Sequence, residues 1–369
     1  MADVILTGAS WVSVVGLWCA AASAYVSPAS FRLAGVMGIA FPVLLCGTVF
    51  CFFLCLLFCP RRSWISIVGI LLCFGSVRSY IPFNPYHPEA QDSAITVLSY
   101  NCHGFPGVTT DEPKKEIMQY LFNQDADIIC FQEGNFSFND WRELHPEFSR
   151  RYPYHEIPYE GQTTRQSCYS RYRILRTELV TSHTTNAVVA FWLQLPKGDS
   201  LLVLNCHLKS NNLTPEDREQ YNQIVKHRKQ NPSADSTLLT SRTLASKISS
   251  AAGIRALMAD TVANYLARNP GVPTIVCGDF NDTPISYSAK RITRSGLNDA
   301  FRAVGNGMGR SFNRDAIAVR IDHQFCSDHF KPVSAEVDDT PEWSDHYPII
   351  VKYNWNNDTS NKKNNNTKK

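Results

Sequence analysis

Residues 274–281 read TIVCGDFN: a short apolar run, then Gly278, Asp279, Phe280 and Asn281. A β-favouring run of this length that stops at turn-forming residues reads as a buried strand delivering polar groups to its end. The same arrangement recurs along the chain. Strand candidates are Ile95–Tyr100, Ile128–Gln132, Ala187–Leu195, Leu201–His207, Arg320–Phe325 and Ile349–Tyr353, all short and rich in Val, Ile, Leu and aromatics. Asn101 follows the first, Gln132-Glu133 closes the second, and Asn205-Cys-His207 closes the fourth. Asp322 stands in Arg-Ile-Asp-His, and Ser344-Asp345-His346 comes just before the last run. Strand ends converge at the rim of a sheet, so residues far apart in sequence can share one cleft.

Helices are expected between the strands. Asp111 with Pro113 opens one that ends before Asp125, and Thr214-Pro-Glu-Asp217 resembles a capping box. Ser241 to Arg268 sets Leu244, Ile248, Ala251, Met258, Val262 and Tyr265 near one face, and Asn269-Pro270-Gly271 stops it. The stretch 209–268 carries nine basic and five acidic residues, the pattern of a solvated helix or of one facing an anionic surface.

The strand-end inventory comprises Asp279, Asp322, Asp345, Glu133, Asn101, Asn281, His207 and His346. Hard oxygen donors without cysteine favour Mg²⁺ or Mn²⁺ over zinc. Histidines beside carboxylates can supply a base and a proton donor. Taken singly, each feature is ordinary: Glu133 could be a surface carboxylate, His207 a satisfied edge histidine, and Gly278-Asp-Phe-Asn281 a plain turn. Their order and spacing carry the signal. The twelve cysteines form no CxxC pair, which argues against a zinc or redox motif, and Cys130, Cys206 and Cys277 read as small buried hydrophobes.

Charge divides the chain sharply. Of its 369 residues, the first 80 hold only Asp3, Arg32, Arg61, Arg62 and Arg78 as charged groups. Uncharged stretches of 28 residues run from Val4 to Phe31 and from Leu33 to Pro60, and a third of 15 runs from Ser63 to Val77. About 20 apolar residues cross a bilayer as a helix, so residues 1–80 are expected to form an integral membrane anchor of two or three helices. The missing basic n-region and the second apolar run argue against a cleaved signal peptide. Residues 81–93, with three prolines, read as a linker, 94–353 as the folded body, and the Asn/Lys-rich 354–369 as a disordered tail. Residues 81–353, the chain after the apolar segment and without that tail, hold 28 basic and 31 acidic residues, so nucleic acid is a partner their charge does not favour. Placing Arg61 and Arg62 in a cytoplasmic loop, with three spans, puts the body on the extracytoplasmic side.

The series Asn101, Gln132-Glu133, Asn205-x-His207, Gly278-Asp-Phe-Asn281, Asp322 and Ser344-Asp-His346 resembles the endonuclease/exonuclease/phosphatase superfamily over about residues 94–353. The resemblance implies an α/β (α+β) fold, a four-layer α-β-β-α sandwich of two mostly antiparallel sheets with the site at one rim. It implies Mg²⁺ (or Mn²⁺) on Glu133, with Asn101 and Asp345 completing or orienting the shell. His346 would be the general base, oriented by Asp322; Asp279 and Asn281 would position nucleophile and phosphate, and His207 would donate to an oxygen of the phosphate or leaving group. The triplet Ser170-Arg171-Tyr172 resembles a segment of the membrane-anchored bacterial branch, which implies a bacterial inner membrane and a substrate-binding role for Arg171. In that branch proline usually follows, where this chain has Arg173. The expectation is a membrane-anchored, metal-dependent phosphoesterase acting on a phosphate ester, with the bilayer contacted through residues 1–80. A tethered nuclease is the alternative, and a catalytically inactive binding module a further one.

Overall fold

The computed structural model describes residues 2–86, 88–134, 143, 145–158, 165–196, 198–211, 216–217, 234–314 and 317–356. These divide into two compact units. One comprises Met1–Ile81, Asn211–Leu257 and Thr283–Arg291, the other Pro82–Ser210, Met258–Asp282 and Ile292–Lys369.

The first unit opens with α1 (Ala2–Ser23) and α2 (Ala34–Phe58), both long and apolar enough to cross a membrane. They run antiparallel: the Ser10 hydroxyl meets Cys55 Sγ at 3.3 Å, and a Cβ on Gly16 would touch Leu44 and one on Gly38 would touch Ser23. Next come α3 (Trp64–Leu72) and α4 (Phe74–Tyr80), bent by 65° where they join. Leu17, Ala20, Ala21, Phe41, Cys73, Tyr80 and Ile285 form the buried cluster of this unit. By backbone contacts, the described residues of 211–257 and those of 283–291, which lie within the 94–353 stretch, group with the apolar helices.

The second unit is built on two six-stranded sheets. The strands are β1 (Ile95–Asn101), β2 (Ile128–Gln132), β3 (Tyr154–Glu156), β4 (Ser167–Ser170), β5 (Arg173–His183), β6 (Asn186–Gln194), β7 (Ser200–His207), β8 (Thr274–Asp279), β9 (Asn298–Asp299), β10 (Phe312–Arg314), β11 (Ile317–Val319), β12 (Asp322–Cys326), β13 (Phe330–Val337) and β14 (Ile349–Trp355). One sheet has the order β13-β14-β1-β2-β4-β3 and the other β5-β6-β7-β8-β12-β9, while β10 and β11 form a separate hairpin. Each sheet holds one parallel pair at its centre, β1 with β2 and β7 with β8. All other pairings are antiparallel. The α+β architecture expected from the resemblance is present.

Because side chains alternate along a strand, one set faces the partner sheet. Val97, Ile128, Cys130, Cys168, Phe191, Val203, Ile275, Cys277 and Val351 fill that seam. The opposite face of the first sheet packs Leu98, Tyr100, Ile129 and Phe131 against Ile117, Met118 and Leu121 of α5 (Asp111–Asn123) and Phe148 of α6 (Pro146–Arg151). Full burial of each large side chain contributes about 1.5–3 kcal/mol. The α7 helix (Ala234–Arg268) starts earlier than Ser241, and from Met258 onward it belongs to this unit, where Tyr265 accepts a hydrogen bond from Trp192 Nε1. Two further short helices among the described residues are α8 (Tyr287–Thr293) and α9 (Ala300–Val304).

Two further expectations change. The described residues of 82–93 lie outside helices and strands, yet Asn84 is buried and its side-chain amide donates to Gly305 O at 2.7 Å. The final strand runs to Trp355, two residues into the stretch assigned to the tail. The Thr214-Pro215 cap and residues 357–369 lie outside the described residues.

His323 lies buried on β12 beside Phe280, and its Nε2–H donates to Asp282 O at 2.9 Å. Burial, reinforced by the Arg320 charge, pushes its ring down to about 4. An unfolded histidine titrates near 6.5, so between about pH 6.5 and 4 only the unfolded chain takes up this proton. Stability is therefore expected to fall as pH drops through that window, by at most about 1.4 kcal/mol per unit from this residue. Urea melts of wild type and His323→Phe at pH 7 and pH 5 check this; the variant should show the shallower acid loss.

Candidate functional site

At one end of the seam the inner faces change from apolar to polar, and the sheet register explains why the change is shared. Asn101 pairs with Gln132 at the ends of β1 and β2, and His207 pairs with Asp279 at the ends of β7 and β8. Antiparallel to β8, Asp322 begins β12 directly opposite Asp279. Val97, Val203, Ile275 and Cys326 stand an even number of residues away from these polar groups on the same faces. One layer deeper, Gln132 donates to Ser99 Oγ and to Asn205 Oδ1, and Asn205 donates to Phe131 O and Ser167 O. These amides tie the two sheets together beneath the cluster.

Asn101 Nδ2 donates to Asp279 Oδ2 at 2.9 Å and to Glu133 Oε1 at 3.2 Å. His207 Nε2 lies 3.4 Å from Glu133 Oε1 and 3.8 Å from Asp279 Oδ2. The His346 Nδ1–H donates to Asp322 Oδ2 at 2.9 Å, and its Nε2 faces Asp279 Oδ2 at 3.8 Å. Asp279 Oδ1 accepts from the Asn281 backbone N–H at 2.7 Å, and Asn281 Nδ2 reaches Asp279 Oδ2 at 3.0 Å. Ser344 Oγ donates to Asn101 O and accepts from the His346 N–H, which pins the Ser344-Asp-His346 segment to the end of β1. The structure thus brings together Asn101, Glu133, His207, Asp279, Asn281, Asp322 and His346. Glu133 and Asn281 hold φ of 52° and 51°, left-handed geometry that non-glycine residues seldom adopt.

Electrostatics differ from group to group. Burial opposes ionisation of Glu133, but the hydrogen bonds from His103 and Asn101 outweigh it and hold the carboxyl down at about 2. Asp279 is raised, chiefly by burial and then by Asp322. Burial would lower His346, yet the charges of Asp322 and Asp279 carry it up to about 10. His207 is lowered by burial. The cluster thus contains a permanent carboxylate, a cationic ring, a neutral ring and an aspartate that takes up protons more readily than usual.

Asp345 and Arg171 are placed differently from the rest. The Asp345 carboxylate is held by Arg314 at 3.0 Å. Arg171 is corrected. It follows β4 at the end where Ser170 pairs with Ile128, the start of β2, while Glu133 follows the other end of that strand. Its guanidinium binds Asp127 at 2.9 Å and also Asp125, so it braces the opposite rim rather than the site. Three contributors escape the sequence reading. His103 donates from Nδ1 to Glu133 Oε2 at 3.1 Å, the Asn186 amide nitrogen lies 2.9 Å from His207 Nε2, and the Phe312 ring sits edge-on to His346 at 5.0 Å. His103 stands two residues beyond Asn101, a signal in plain view; Asn186 looks like a turn residue, and Phe312 carries no signal.

Residues 98–346 match the Endonuclease/Exonuclease/phosphatase family. The chain belongs to that family. Its members are hydrolases of ester bonds, and the matched stretch contains every residue of the cluster described above. Residues 3–80 match a domain of unknown function. No curated protein matches the chain. Among solved structures, a zebrafish (D. rerio) TDP2 humanized by 14 mutations is 14% identical with a TM-score of 0.51, covering 71% of this chain and all of that one. The human Nocturnin catalytic domain is 18% identical (TM-score 0.49; 73% of this chain, 97% of that one). A Bacteroides thetaiotaomicron protein of the family is 17% identical (TM-score 0.48; 72% of this chain, 99% of that one). The first of these likenesses supports the fold.

A divalent ion fits the donor set. Glu133 stays ionised beside the Asn101 amide, and Asp279 and Asp322 add two more carboxylates whose oxygens lie within 4.8 Å of each other. The buried Asp322 Oδ1 has no hydrogen-bond partner, an acceptor left over for a ligand.

Proposed function

We propose that this protein is a membrane-anchored phosphoesterase that hydrolyses a phosphate ester with Mg²⁺ or Mn²⁺. The carrying observation is the His346–Asp322 pair facing Asp279 across 3.8 Å, with Glu133 and Asn101 bonded into the same cluster. Glu133 and Asn101 would hold the metal, with Asp345 outside the direct shell because Arg314 occupies its carboxylate. When bound, the ion would polarise a phosphoryl oxygen and stabilise the departing one.

The protein's own groups would do the rest. The resemblance gives His346 the base role, but flanking carboxylates keep its ring cationic at neutral pH. That favours His346 as the group that neutralises charge building on the phosphate, with Asp322 fixing its ring. Asp279, raised by burial, is then the acceptor for the proton of the attacking water. Asn281, bonded to Asp279 through both its amides, would aim that carboxylate and the phosphate. His207, set beside Glu133 by the Asn186 amide that donates to its Nε2, would line the phosphate subsite. A near-neutral body in a chain that also carries long apolar helices favours a small or lipid-linked ester over duplex nucleic acid.

The test is hydrolysis of bis-p-nitrophenyl phosphate by the full chain in detergent. Turnover should require Mg²⁺ or Mn²⁺, vanish with EDTA and return when metal is added back. Metal-independent turnover, or none from folded protein with any divalent ion on diester or monoester substrates, would sink the proposal. A salt series on single-stranded DNA separates the nuclease alternative, whose rate should fall steeply with ionic strength.

A further inference from the structure

We infer that the chain crosses the bilayer three times, so that everything after residue 81 lies on the face opposite the N-terminus. The inference rests on α1 and α2 being membrane spans, as proposed above, and goes beyond it by fixing the number of crossings and the side of the body.

The first argument is the path of α3 and α4 along α1. Trp64, opening α3, packs edge-on against Trp11 at 6.2 Å. Further along, a Cβ on Gly69 would collide with Val14, and Gly69 O accepts from Trp18 Nε1 at 2.9 Å. At the far end, Cys73 and Tyr80 share a buried cluster with Leu17, Ala20 and Ala21, and the Tyr80 ring lies 6.2 Å from Phe41 in the first half of α2. Residues 64, 69 and 73–80 thus meet residues 11, 14–18 and 17–21 in the same order. The segment follows the end of α2 and then runs parallel to α1 from its middle, at Trp11, to its C-terminal part at Ala21. A re-entrant segment would turn back toward the N-terminal face, and Tyr80 does not. The 65° bend shortens the reach of the pair, and Arg61, Arg62 and Arg78 stand at its ends, where basic side chains can extend to headgroups.

A second argument comes from the segment turning between α1 and α2. Arg32 O accepts from the Ser249 hydroxyl at 2.6 Å. Gly253 lies against Pro28 and Ala29, and Gly35 lies against Ala252 so closely that a Cβ there would reach the Ala252 methyl. Lys290 Nζ sits 4.9 Å from the centre of the Tyr25 ring, and Ile285 joins the cluster at the Tyr80 end. Residues 249–253 and 285–290 therefore lie on the same side of the membrane as residues 25–35. They are covalently continuous with the body, and α7 carries Arg242, Lys247, Arg255 and Asp260, too many charges for a span. Two crossings would leave Pro82 on the opposite face from residues 25–35. Three put both on one face.

The experiment uses the full chain with one epitope tag at the N-terminus and another at the C-terminus, in sealed vesicles of uniform orientation. External protease should remove one tag and spare the other until detergent opens the vesicles. Removal of both, or protection of both, would mean an even number of crossings and overturn the inference. Alkaline extraction of the same vesicles is read first. Release of the chain would refute the membrane reading beneath the inference, and is distinguishable from a failure of the three-span order alone.

Discussion

His346→Ala is expected to reduce kcat by about 10²–10⁴-fold with KM changed far less. The imidazole touches two carboxylates, Asp322 at 2.9 Å and Asp279 at 3.8 Å. Removing it deletes the cation that both aspartates face and leaves them facing each other across buried space. Their mutual repulsion should raise Asp279 further still, so the residual activity of the variant should demand a higher pH than wild type. Steady-state rates on bis-p-nitrophenyl phosphate between pH 5 and 9 check both parts. Asp322→Asn serves as a companion, since it keeps the shape of the dyad while removing the charge that sustains the cationic ring. Unchanged kcat in His346→Ala would exclude the ring from the chemistry.

Gly278→Ala is expected to cost about 3 kcal/mol or more, a large share of the usual stability of a domain. Gly278 has φ of 132°, a region closed to other residues, and it pairs with Cys206 across the parallel β7–β8 ladder. A Cβ there would stand 2.8 Å from Cys206 N and C, and nearer still to its carbonyl oxygen. Neither strand can move aside without dragging His207 and Asp279, so activity should fall with stability. Gly296→Ala is the control: its φ is also positive, 88°, but nothing lies within 4 Å of the added methyl. It should cost about 1 kcal/mol, from backbone conformation alone. Thermal melts of the three proteins under one detergent condition decide the matter. Equal losses in both variants would show that backbone conformation, rather than the collision with Cys206, sets the requirement for glycine.

The central strands were legible because burial on both faces leaves an unbroken apolar run. Ile128–Gln132 has the bounds expected, and Thr274–Cys277 only gains Gly278 and Asp279. By contrast β5, Arg173–His183, escaped: it is an edge strand, exposed along much of its length and broken by two register shifts, so no alternation survives in its sequence. β13 hid for similar reasons, with Lys331, Pro332 and Glu336 in its run. The seven residues that the strand ends gather stand out in the sequence because each closes a strand or sits in a compact polar motif. Arg171 misled because the Ser-Arg-Tyr triplet records neighbours in sequence and nothing of which end of β2 they occupy. Asn186 could not be read, since its role comes from the β6–β7 pairing that carries it to His207.

The Gln132–Asn205 amide layer beneath the cluster has a further consequence. It forms a dielectric step between a hydrocarbon interior and an ionised pocket. Asn205 is bonded through both its amide oxygen and its amide nitrogen, and Gln132 through its amide nitrogen, so the Asn205 dipole resists swinging. A floor held in this way leaves little relaxation to be done when charge shifts above it, and both amides are fully buried. The pocket can therefore be polar enough for ionic chemistry while the sandwich a few ångströms below stays dry.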